Sequence, residues 1–73
     1  MESYLYTIRN RVRTLRGDRR LSQSELGSAL GVSRQTINAI EAGRHAPSLP
    51  LAMKIGRYFD LPVESIFFDD EPH

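Results

Sequence analysis

The sequence predicts an all-α domain of five short helices, and three observations predict it. Apolar residues recur at helical spacing: Leu26, Ala29 and Leu30; Ile37 and Ile40; Leu51, Ala52, Ile55 and Phe59. A serine able to cap a helix precedes each of these stretches, at Ser22, Ser33 and Ser48. A residue suited to ending a helix follows each one: Gly31, Gly43 and Asp60. With 73 residues, the chain reads as one domain (1–73), near the lower size for folding without staples. It has no cysteine, so helix packing has to hold it, not disulfides or cysteine-ligated zinc.

The first helix is expected over roughly Arg9 to Arg19, with Ile8, Val12 and Leu15 on its apolar side. The second starts at "LSQSE", where Ser22 and Glu25 form a capping box, and stops at Gly31. Only "GVS" separates that stop from the third helix, which Ser33 caps and which runs to about Ala42 before Gly43. "RHAPS" is a loop, and the fourth helix follows with Pro50 in its first turn, where a missing N–H costs little. Pro62 opens a short fifth helix from Val63 to about Ile66. The ends, "SYLYTI" and "IFFDD", are rich in aromatic and β-branched residues. They pair as a small terminal two-stranded β ribbon or pack as extended arms; residues 1–7 and 68–73 read as terminal extensions.

Two helices joined by a three-residue turn, over 22–42, suggest a helix-turn-helix, whose second helix enters the major groove of DNA. Its physical requirements are met together. Gly27 is small enough for a close crossing, Gly31 allows the positive φ of the turn, and Leu26, Leu30, Val32, Ile37 and Ile40 supply the inner faces. On a helical wheel, Ile37 and Ile40 mark the core side of the third helix, with Glu41 at its border. Arg34, Gln35 and Asn38 fall opposite, with the small Ala39 and Ala42. Arginine can grip guanine with two hydrogen bonds, and glutamine or asparagine can grip adenine likewise. Arg34, Gln35 and Asn38 are therefore the candidate base-reading residues; the bland alternative for such a face is simple solvation.

The stretch "LSQSELGSALGVSRQTINAIEAGR", followed by "PSLPLAMKIGRYFDLPVESIF", resembles the DNA-binding domain of the Cro/phage-repressor (Xre) family of bacterial and phage regulators. The resemblance covers about Ile8 to Phe67, and within the family the likeness is to short stand-alone dimeric regulators of the cytolysin-repressor kind. It implies five helices accompanied by terminal strands. It also implies phosphate contacts at Gln23, Ser33, Arg44 and His45, and a structural ion pair between Arg16 and Glu41. The chain departs from the pattern at Gly27, where the family prefers alanine, and at Ala39, where some members carry a longer base-reading side chain.

Charge is unevenly placed. Six arginines within residues 1–20 stand against Glu2 and Asp18, whereas residues 48–73 set Lys54 and Arg57 against Asp60, Glu64, Asp69, Asp70 and Glu71. A basic part beside an acidic tail suits an oriented polyanion contact, although a solvated helix face would look the same. No catalytic constellation, phosphate-binding glycine loop or metal-ligand spacing is evident, so an enzyme is not expected, and no cofactor or small-molecule ligand is implied. The absence of a signal peptide and of a ~20-residue apolar run points to the cytoplasm and away from a membrane. The expected function is a sequence-specific regulator of transcription, a repressor bound to an inverted-repeat operator as a homodimer. Tyr4, Leu5, Tyr6, Ile66, Phe67 and Phe68 are the expected dimer interface. The alternative is an antitoxin or adaptor that binds a partner protein.

Overall fold

The computed structural model describes residues 8–69. In chain order they form β1 (Ile8–Asn10), α1 (Val12–Asp18), α2 (Gln23–Leu30), α3 (Arg34–Glu41), α4 (Leu49–Phe59), α5 (Val63–Ile66) and β2 (Phe67–Asp69). The five expected helices are present, and a two-stranded ribbon forms, with its first strand at Ile8–Asn10; of the expected "SYLYTI" stretch only Ile8 lies among the described residues. β1 runs antiparallel to β2, pairing Ile8 with Asp69, Arg9 with Phe68 and Asn10 with Phe67.

The first helix is shorter than its periodicity suggests, because Ile8–Asn10 belong to the ribbon. Asn10 makes the change of direction. Its Oδ1 accepts from the Val12 amide at 3.0 Å, an Asx turn, while its Nδ2 donates to the Ile40 carbonyl at 2.9 Å. The Arg11 amide, next in line, donates to the Ile66 carbonyl at 3.0 Å. One asparagine thus ends a strand, starts α1 and ties both to the end of α3.

The other boundaries follow local chemistry. Ser22, Ser33 and Ser48 each accept a backbone N–H in the first turn of the following helix, and Glu25 completes the capping box on α2. Gly31 turns at φ 77°, and Asp60 holds a left-handed φ of 59° at the end of α4. At Gly27, α2 packs so closely on the turn leading into α3 that a Cβ there would lie 2.7 Å from the Val32 carbonyl oxygen. A side chain at this position would need the turn to shift outward.

The core is Val12, Leu26, Leu30, Ile37, Ile40, Ile55, Phe59 and Ile66, drawn from all five helices. Ile66 was expected at the dimer interface, and the structure corrects that assignment. It is 0% exposed, sealed inside the core of its own chain, and has no surface left for a second copy. Phe67 is half-buried against the same core, whereas Phe68 remains 40% exposed. Tyr4, Leu5 and Tyr6 lie outside the described residues.

Candidate nucleic-acid interface

The packing of α2 against α3 decides which side chains reach solvent. With Ile37 and Ile40 buried, Arg34 and Gln35 emerge exposed from the first turn of α3. Neither makes a hydrogen bond to the described residues, so their planar donors and acceptors are free for a ligand. Ser33 anchors this end: its Oγ accepts from the Thr36 amide at 3.1 Å and lies 3.0 Å from Thr36 Oγ1. A fixed turn carries two unengaged, two-pronged side chains.

The other end of α3 is built differently. Gly43 at φ 77° reverses the chain; its amide bonds back to the Ile40 carbonyl and that of Arg44 to the Ala39 carbonyl, both at 3.0 Å. This paired pattern is a Schellman turn. It brings Arg44 back alongside the helix, where its Nη2 donates to Asn38 Oδ1 at 2.9 Å. Asn38 Nδ2 in turn faces Gln23 Oε1 at 3.5 Å, and Gln23 Nε2 donates to Glu41 Oε1 at 3.1 Å. His45, one residue further on, is exposed.

The expected partnership of Arg16 and Glu41 is present at the base of this chain of contacts. Arg16 Nε donates to Glu41 Oε2 at 2.7 Å and Nη2 to Oε1 at 3.1 Å, a bidentate pair, while Nη1 donates to the Leu21 carbonyl at 2.8 Å. The Glu41 side chain is only 1% exposed. Burial pushes its carboxyl up, but the hydrogen bonds from Arg16 and Gln23 and the charges of Arg16 and Arg13 outweigh that, holding it below the usual carboxylate range. The hydrogen bond to Glu41 likewise raises Arg16. Both groups are therefore ionised at neutral pH, and the pair is structural, with Arg16 turned away from solvent.

Three residues escaped the sequence-based reading. Asn10 was visible as an asparagine two places before an apolar helix start. Lys54, whose Nζ donates to the Leu30 carbonyl at 2.9 Å and closes the end of α2, left no local sign. The same holds for Arg19, which stacks over the rings of Tyr58 and Phe59 at 5.5 and 5.0 Å. Among the described residues, no cluster of three or more His, Asp or Glu could hold a metal ion, and no helix is long and apolar enough to cross a membrane.

Residues 12–66 match the helix-turn-helix family model. The chain belongs to the Cro/phage-repressor type of helix-turn-helix transcriptional regulators. It is similar to an uncharacterized helix-turn-helix-type transcriptional regulator of Methanocaldococcus jannaschii, 47% identical over 66 residues that cover 88% of this chain and 100% of the relative. A transcriptional repressor of a cryptic phage in Vibrio cholerae is 31% identical over 62 residues, covering 85% of this chain and 56% of that protein. Among solved structures, a Bacteroides fragilis protein shares the fold, with a TM-score of 0.73 at 18% identity over 84% of this chain and 98% of the other. These regulators are a non-enzymatic family.

Proposed function

We propose that the protein is a repressor that binds an inverted-repeat operator as a homodimer, with α3 in the major groove. The observation that carries this reading is the free pair Arg34 and Gln35 on the capped first turn of α3. In this reading Arg34 grips guanine O6 and N7, and Gln35 grips adenine N6 and N7. Gln23, Ser33, Arg44 and His45 hold the flanking phosphates and so set the register in which those bases are read. A domain of this size represses by occupying DNA that polymerase needs. One recognition helix spans too few base pairs to single out a site in a genome, so two copies share the task. Phe68, exposed on β2, offers apolar surface for that pairing.

Selection of bound sequences from a random DNA pool, followed by sedimentation of the protein alone and on the selected duplex, tests the reading. Two half-sites related by inversion and about one helical turn apart, roughly 34 Å, are expected, with two chains bound per duplex. Enrichment of no sequence, or a single half-site holding one chain, would overturn it.

A further inference from the structure

We infer that Asn38 is a positioning residue, which holds Arg44 and Gln23 as a matched pair of phosphate donors and does not itself read a base. The inference rests on the DNA-binding reading above and replaces the base-reading role that the helical wheel suggests for Asn38. An asparagine that grips adenine uses its carbonyl oxygen and its NH2 together. In Asn38 both arms are engaged. Oδ1 accepts from Arg44 at 2.9 Å, and Nδ2 lies against Gln23 Oε1 at 3.5 Å. Its amide is half-buried between these neighbours, whereas Arg34 and Gln35 on the same helix are exposed and unbonded.

The engagement continues inward. Gln23 is held on its far side by Glu41, and Glu41 is fixed by two N–H groups of Arg16. A continuous chain of contacts therefore runs from a buried ion pair to an arginine at the surface, and Asn38 is its last fixed link. An arginine restrained in this way loses less side-chain freedom when it meets a phosphate. Since phosphates flank every base pair, a residue acting through Arg44 and Gln23 affects all sequences alike.

Binding of the full chain is measured on two duplexes of equal length, the selected site and a scrambled sequence. Asn38→Ala is expected to weaken binding to both by the same factor, about five- to tenfold, and to select the same sequence from a random pool as the unaltered protein. In a background carrying both Arg44→Ala and Gln23→Ala it should add less than about twofold, because both residues it acts through have gone. Asn38→Ser, whose hydroxyl is too short to reach Arg44, should repeat this result and keeps the test open if the alanine variant melts early. A changed base preference at any position in the Asn38→Ala selection would overturn the inference, as would a loss from Asn38→Ala that persists in full when Arg44 and Gln23 are both alanine. If the unaltered protein bound neither duplex, the DNA-binding reading would fall first and this inference with it.

Discussion

The two ends of α3 contrast within eight residues. At its start, Arg34 and Gln35 are exposed and unbonded, fixed only through the backbone by the Ser33 cap. At its end, Asn38, Glu41 and the adjoining Arg44 are bound side chain to side chain, down to an ion pair whose carboxylate is 1% exposed. The difference separates two demands on a recognition helix. Groups that discriminate among bases must be free to meet different edges, while groups that set the register gain from being held in one place. Substitutions at the two ends should therefore differ in kind: the far end should report in stability or in binding that ignores sequence, the near end in sequence preference.

The largest effect belongs to the far end. Glu41→Ala leaves the Arg16 guanidinium without its bidentate partner and removes an acceptor from Gln23. Breaking a buried pair from one side costs about 3–5 kcal/mol. Arg16 keeps 17% of its side chain in solvent and retains its bond to Leu21, so the lower part of that range, about 3 kcal/mol, is expected. In a domain of this length, that lowers Tm by more than about 10 °C. A thermal melt with an unchanged midpoint would show that the far end is not held through Glu41.

Acid should act on the same group with a defined sign. Because the folded protein lowers the Glu41 carboxyl below its ordinary value of 4.5, its contribution is complete above that value and lost as pH falls through the lower folded one. Melting temperature should therefore drop below about pH 5 in the unaltered protein and drop less steeply in Glu41→Gln. Parallel pH profiles for the two proteins would remove Glu41 from the acid response.

The near end should leave stability alone. Arg34→Ala or Gln35→Ala removes no intramolecular hydrogen bond, so Tm should stay within a few degrees of the unaltered protein. Binding to the preferred site should weaken by about 1–3 kcal/mol, with base choice relaxed at one position. Variants that bound as tightly and selected the same sequence would erase the contrast between the two ends.

What could be read from the sequence follows the range of the interactions. The Ser22–Glu25 capping box, the Gly31 and Gly43 turns and the left-handed Asp60 act within a few residues, and the sequence displays them directly. The apolar stripes located α2, α3 and α4 because their periodicity is local too. The start of α1 was misplaced because Asn10 answers to Ile40, thirty positions away, as well as to Val12. Ile66 read as surplus apolar surface because its neighbours in the core come from elements distant in the chain. On the wheel Asn38 shares a face with Arg34 and Gln35; only the Schellman turn, which folds Arg44 back, shows that its amide is already engaged.

The smallest effect on stability should come from Ser33, which stands at the junction of the two demands. Its Oγ caps α3 by accepting the Thr36 amide, and in the proposed complex the same hydroxyl donates to a phosphate. Aspartate caps a helix about as well as serine, so Ser33→Asp should change stability by no more than a few tenths of a kcal/mol. Its charge also suits the positive end of the helix. Against DNA, however, it replaces a donor by an anion, and binding should weaken on preferred and scrambled duplexes alike. Melting curves and titrations on the two duplexes separate the roles. A variant that melts normally and binds normally would leave Ser33 as a cap alone and place the first phosphate contact elsewhere on the turn.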